Sequence, residues 1–219
     1  MRETMDSLPV EYLSPMAAHV EEVLALFAYE MTPAIDAIDA AVDGHGGLFD
    51  PRTADSEKRA AIDEVLAAGL PACHQSRAKA DASDIVLYVD GSSRGNPGPA
   101  GAGAVLRTGE DDIVRLGRPV GSRTGNNIAE YAALHLGLEA LETWCHPGSV
   151  EIRIDSMTVI NAIWGENQST SPPTQYSTPI EEHLSRHPDH SWTHLADSDP
   201  NPADARATVG ADIAALGPN

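Results

Sequence analysis

From residue 85 onward the chain alternates between strand-like and helix-like runs, and this alternation constrains the fold more than any other feature of the sequence. Residues 85–90, 100–107 and 113–120 read as strands, 127–141 as a helix, 150–155 as a strand and 157–164 as a helix. A helix around 179–187, a strand at 191–195 and a final helix opening at Pro202 follow. Three successive strands pair as an antiparallel meander, whereas strand–helix–strand requires a parallel crossover. The expected class is therefore α/β, a mixed sheet with helices packed on it.

The first part of the chain has a different period. Two helical patterns open with a capping residue and then proline, Ser14-Pro15 and Thr32-Pro33. Met16, Val20, Val23, Leu24 and Phe27 recur at helical spacing in the first; Ile35, Ile38, Ala41 and Val42 do so in the second. A third carries Ile62, Val65 and Leu66 and stops near Gly69 and Pro71. Residues 72–84 are small and polar without periodicity. The expected organisation is a small helical accessory region over 1–71, a linker over 72–84 and a catalytic domain over 85–219.

Two strand patterns, IVLYVD and VEIRID, each finish in aspartate: Asp90 before Gly91, and Asp155 before Ser156. As parallel neighbours they would lie about 4.8 Å apart with both carboxylates at one C-terminal edge. Carboxylate oxygens suit Mg²⁺, and two such ions about 3.5–4 Å apart stabilise the attacking and leaving oxygens of a phosphoryl displacement. A single aspartate at a strand end commonly caps a turn, so the weight rests on what surrounds the pair. Asp90 begins DGSSRGNPGPAGAG, whose glycines permit tight turns and close backbone approach to another molecule. Glu130 lies in TGNNIAEYAAL, where Asn126 or Asn127 starts a helix and places the glutamate about one turn in, facing with Leu134 and Gly137. Asn201-Pro202-Ala203-Asp204 opens the last helix, with proline at its first position and Asp204 in its first turn.

DGSSRGNPGPAGAG, NNIAE, RIDS and NPAD, in this order and at these intervals, resemble the motifs of type 1 ribonuclease H over about residues 84–216. The resemblance implies a five-stranded mixed sheet flanked by helices, with Asp90, Glu130, Asp155 and Asp204 as catalytic, metal-binding carboxylates. It implies hydrolysis of the RNA strand of RNA–DNA hybrids with two Mg²⁺ ions, Mn²⁺ being a possible substitute. One ion would activate water and the other neutralise the leaving 3′-oxygen, giving 5′-phosphate and 3′-hydroxyl ends. Asn96 and Asn126 fall where family members contact the 2′-hydroxyls and backbone of the RNA strand. Gly91, Ser92 and Asn127 of the same motifs, with Arg94 and Arg123 as nearby cations, complete the candidate substrate contacts. Selection for RNA rests on the 2′-OH.

This chain departs from the pattern in three places. The loop ADSDPNPAD lacks the histidine that many bacterial relatives carry before the last aspartate; His194 falls inside the preceding strand, which leaves another group, water, Arg206 or His190 for proton transfer. Asn201 stands three rather than four residues before Asp204. Residues 165–190 lack the lysine-rich helical protrusion of bacterial relatives, and in this the chain looks like archaeal members.

Composition adds a tension. The formal net charge is −19, and Lys58 and Lys79 are the only lysines. Phosphate binding relies on Lys and Arg, so such a chain would ordinarily be read as having no nucleic-acid partner. A milieu of molar salt, where the Debye length is about 3 Å, resolves the conflict, and the acidic, lysine-poor surface resembles that of halophilic proteins. Cys73 and Cys145 match neither a disulfide framework nor a cysteine-rich zinc site. His19, His45, Cys73 and His74 share no ligand spacing, and the N-terminal part has no basic stripe for nucleic acid. The N-terminus lacks an apolar run of export or membrane length, which favours a cytoplasmic protein; a monomer is the expected state, with no sequence feature deciding it. Two other readings compete with hybrid cleavage: a nuclease for RNA duplexes or junctions, and a catalytically weak hybrid-binding protein. Four acids at one site argue against the last, since they repel one another without a metal.

Overall fold

In the computed structural model the described residues are 8–44, 46–69, 80–164, 173–196 and 198–217. His45, Cys73, His74, Lys79 and residues 165–172 of the region compared with the protrusion lie outside them.

Three helices come first: α1 (Pro15–Leu26), α2 (Met31–Ala41) and α3 (Asp55–Ala68). α1 starts as its sequence requires, with Ser14 Oγ accepting from the Ala17 amide at 3.1 Å and Pro15 in the first turn. α2 does not start at Thr32-Pro33. Its cap is Glu30, which bridges to Leu116 of the sheet, so a tertiary contact sets the start and Thr32 lies inside the helix. α3 ends at Gly69, whose φ of +69° suits glycine.

The strands are β1 (Ala80–Ser93), β2 (Gly98–Thr108), β3 (Asp111–Thr124), β4 (Cys145–Ile154) and β5 (His190–His194). The helices among them are α4 (Asn126–Trp144), α5 (Met157–Ile163), α6 (Thr174–Arg186) and α7 (Asp204–Ala214). The sheet order is β3-β2-β1-β4-β5, antiparallel across β3, β2 and β1 and parallel across β1, β4 and β5. This is the five-stranded mixed sheet flanked by helices that the motifs implied.

Several boundaries differ from the sequence reading: β1 begins at Ala80, inside the expected 72–84 linker, because it pairs with β4 from Ala80–Cys145 onward, and β4 accordingly begins at Cys145 rather than 150. β1 does not finish at Asp90: its parallel pairing with β4 stops at Tyr88, but antiparallel pairing with β2 continues from Asp90–Gly103 to Ser93–Ala100. α6 begins at Thr174 and carries Pro179 inside it. The buried stripe Tyr176, Ile180, His183 and Leu184 holds that helix together although proline removes one of its bonds. α7 begins at Asp204, and Pro202 and Ala203 belong to the turn before it.

Strand register divides the sheet into two faces. Leu87 and Val89 lie against α4, where a side chain at Gly137 would strike them. Tyr88 and Asp90 pair with Val105 and Gly103 on the α7 face, where Gly103 lies against the backbone of Ala203 and Ala207. One continuous hydrophobic cluster runs from Val20, Leu24 and Ile38 in the N-terminal helices to Leu116, Leu136 and Ile152.

The N-terminal region also covers the outer edge of β3. The Glu11 amide donates to Val120 and the Ser122 amide to Tyr12, both at 2.8 Å, and the Gly117 amide donates to Tyr29 at 3.1 Å. Arg118, 1% exposed, donates to the Pro9 carbonyl at 3.2 Å, lies 3.5 Å from Glu21 and sits over the Tyr29 ring. Ala28 and Tyr29 take positive φ. Burial of Tyr29 and its hydroxyl bond to Glu21 at 3.1 Å hold that uncommon backbone in place.

Candidate active site

The parallel pairing of β1 with β4 ends just before two acids, Asp90 within β1 and Asp155 immediately after β4. Helix α4 brings the third. Its first residue is Asn126, with Gly125 before it, so Glu130 lies a little over one turn in. Carboxylate oxygens of Asp90, Glu130 and Asp155 come within 4.8 Å of one another. Asp90 is 6% and Glu130 3% exposed, whereas Asp155 is open to solvent.

Gly91 makes this approach possible. A Cβ there would collide with the backbone of Ala129 and Glu130, so the glycine serves contact within the chain rather than approach to another molecule. Gly101 and Gly103 of the same motif serve α7 in the same way. The Gly91 amide donates to Glu130 Oε2 at 3.1 Å, and Asn126 Nδ2 donates to Glu130 Oε1 at 3.3 Å. The glutamate is thus fixed through both oxygens.

Burial, then Asp155 and Asp204, push Asp90 up to about 7. Burial, then Asp155 and Asp90, push Glu130 up to about 9, against the lowering effect of the Gly91 and Asn126 bonds. Asp204 therefore acts on Asp90 from the first position of α7, but it is exposed and stands outside the close set of three. Asn201 anchors this corner: its Nδ2 donates to the Val89 carbonyl at 3.0 Å, its Oδ1 accepts from the Ala203 amide, and its carbonyl accepts from the Asp204 amide.

The other candidates are more scattered. Asn96 Oδ1 accepts from the Asn126 amide at 3.4 Å, and Ser93 Oγ donates to Asn126 Oδ1 at 3.3 Å, which joins the β1–β2 turn to the start of α4. Asn127 is exposed and Ser92 half-buried. Arg94 is turned to Asp212 of α7, and Arg123 is exposed at the end of β3. The two side chains considered for proton transfer are engaged elsewhere. His190 pairs with Val150 at the far end of β5 and bonds the His187 carbonyl at 2.7 Å, and Arg206 reaches Thr32 of α2 at 3.2 Å.

His194, set aside in the sequence because it falls inside a strand, reaches the site. It lies opposite Ile154, and its Nε2 donates to the Asp155 backbone carbonyl at 3.0 Å, which requires the hydrogen on that nitrogen. Only the β4–β5 register reveals this; its position inside a strand pattern points nowhere in particular.

Residues 88–210, more than half of the chain, match the model of the family described as reverse transcriptase-like. The ribonuclease HI of Halobacterium salinarum is 38% identical over 131 residues, covering 59% of this chain and 65% of that protein. A ribonuclease H of Rhodopseudomonas palustris is 37% identical over 86 residues, covering 39% and 52%. The chain thus spans between about half and two thirds of these curated relatives. Among solved structures, the ribonuclease H1 of Halobacterium salinarum superposes with a TM-score of 0.52 at 35% identity, over 59% of this chain and 98% of that one. LC11 ribonuclease H1, solved in complex with an RNA/DNA hybrid, gives 0.53 at 28% identity, over 58% and 96%. On this match and these relatives, the chain belongs to the reverse transcriptase-like family, on its type 1 ribonuclease H branch.

Proposed function

We propose that this chain is a metal-dependent endonuclease that hydrolyses the RNA strand of RNA–DNA hybrids, acting as a monomer in the cytoplasm. The observation that carries the reading is the gathering of three carboxylates within 4.8 Å, two of them buried and raised well above the ordinary carboxylate range. Such a set is repulsive alone and attractive to a hard cation, so the donors fit Mg²⁺, or Mn²⁺ in its place. Asp90, Glu130 and Asp155, joined by Asp204 from α7, would hold two ions. When bound, these supply Lewis acidity that activates water and offsets charge on the leaving oxygen.

The remaining roles fall to the chain. Gly91 and Asn126 orient Glu130 through the bonds described, and Asn201 fixes the turn that carries Asp204. Asn96 and Asn126, exposed where the β1–β2 turn meets α4, suit the 2′-hydroxyls of an RNA strand. Ser92, Asn127 and Arg123 are further candidate contacts, whereas Gly91 would act through its backbone and Arg94 only on leaving Asp212. Cleavage would leave 5′-phosphate and 3′-hydroxyl ends. The relative solved with an RNA/DNA hybrid supports that choice of duplex; no described helix is long and apolar enough to cross a membrane.

The test uses labelled RNA–DNA hybrid, RNA duplex and DNA duplex, each with Mg²⁺ or Mn²⁺, and wild type beside Asp155→Asn. The hybrid's RNA strand should be cut, the DNA duplex left intact, and the variant slower by orders of magnitude though folded. Equal cutting of DNA duplex, or near wild-type cleavage by Asp155→Asn, would refute the reading. Preference for RNA duplex would redirect it to that substrate.

A further inference from the structure

Helix α4 carries a second set of ligating side chains farther from its N-terminus. His135, Glu139 and Glu142 form a stripe at i, i+4 and i+7, and it faces His183 and Arg186 of α6 and His187 just past its end. Ligand atoms of His135, Glu139 and His183 all lie within 4.8 Å of one another. The two imidazoles are 7% and 6% exposed, and no part of the proposed hydrolysis uses them.

We propose that His135, Glu139 and His183 form a zinc site, distinct from the carboxylate cluster, in which the ion fastens α6 to α4. Two imidazoles and one carboxylate are a donor set suited to Zn²⁺, with a fourth position left for water. Metal–ligand distances of about 2.0–2.2 Å put tetrahedral ligand atoms roughly 3.3–3.6 Å apart; His183 Nε2 and Glu139 Oε2 already stand 3.1 Å apart and no pair exceeds 4.8 Å, so the adjustment is within reach of side-chain rotation.

The surroundings favour this. His183 Nδ1 faces Glu142 Oε1 at 2.7 Å, while its Nε2 lies 3.1 Å from Glu139 Oε2. This is the arrangement in which an outer carboxylate fixes a ligating histidine's tautomer and leaves the other nitrogen for the ion. Glu142 is itself held by Arg186 at 3.0 Å. Among the described residues His135 Nδ1 is buried without a hydrogen-bond partner, a cost that an ion bound through that nitrogen would relieve. Arg118 is the opposing cation, but its guanidinium is directed to Pro9 and Glu21. A plain ion pair of protonated His183 with its two glutamates accounts for His183 and leaves His135 unexplained.

The test uses the full chain, stripped of metal and titrated with Co²⁺ and then Zn²⁺. Co²⁺ on two imidazoles and a carboxylate gives intense visible d–d bands, unlike the weak spectrum of oxygen-ligated Co²⁺ at a carboxylate site. The bands should appear in wild type and in Asp155→Asn, disappear on adding Zn²⁺, and be lost in His183→Gln and His135→Asn that remain folded by circular dichroism. Glu142→Gln should weaken Zn²⁺ by about ten- to a hundred-fold. Only the weak spectrum in wild type overturns the proposal whatever the variants do, and so do intense bands that survive in His183→Gln.

Discussion

Burial and neighbouring charge raise Asp90 to about 7 and Glu130 to about 9, so the folded chain holds protons that the unfolded chain releases in the ordinary carboxylate range. Over that window the folded state binds more protons than the unfolded state, and stability falls as pH rises. Urea melts of the metal-free chain at pH 5, 7 and 9 should show that decline. Added Mg²⁺ should flatten it, helping most at the alkaline end; stability that rises with pH in chelator would contradict the assignment. Gly91 is the other decisive residue here. Gly91→Ala drives a methyl into the α4 backbone and should cost about 1–3 kcal/mol in urea unfolding, with loss of cleavage as Glu130 is pushed aside. The sequence suggested close backbone approach to another molecule around this glycine, not contact within the chain. The partner turns out to be a helix nearly forty residues on, which local spacing cannot show. The gathering of Asp90, Glu130 and Asp155 was easier to read because the end of the β1–β4 pairing and the start of α4 confine them to one edge.

Elements were legible where their own residues decide them and obscure where a neighbour does. α1 begins at Ser14-Pro15 because capping is local, whereas α2 yields its start to a bridge between Glu30 and Leu116. β1 runs past Asp90 because β2 still pairs with it after β4 has stopped. α6 keeps Pro179 because its buried stripe outweighs one missing bond. His194 meets Asp155 through register alone. The turn before α7 offers the sharpest test at this scale. Asn201→Ala removes the bonds to Val89 and to the Ala203 amide, so the start of α7 should shift and carry Asp204 with it. Hybrid cleavage should fall by about ten- to a hundred-fold while stability drops by only about 1 kcal/mol. A variant with wild-type rate would mean that Asp204 does not need its anchor.

Across the whole molecule, a formal net charge of −19 means that folding gathers mutually repelling carboxylates. Screening strengthens from a Debye length of about 30 Å at 0.01 M to about 3 Å at 1 M, so thermal melts followed by circular dichroism should move upward as KCl approaches molar levels. A flat or falling midpoint would remove the halophilic reading and leave the nuclease reading intact. The covered edge of β3 has its own consequence. The Halobacterium salinarum structure is spanned almost completely by 59% of this chain, which invites the thought that the first 69 residues could be cut away. Here that cut would bare the amides and carbonyls that meet Glu11, Tyr12 and Tyr29, and take from the Arg118 guanidinium its bonds to Leu8, Pro9 and Glu21. An unprotected strand edge is a template for the next molecule, so the shortened chain should elute from a sizing column as oligomers. What looks like an appendage in sequence would then act as a stopper, without which each copy becomes an adhesive surface for its own kind.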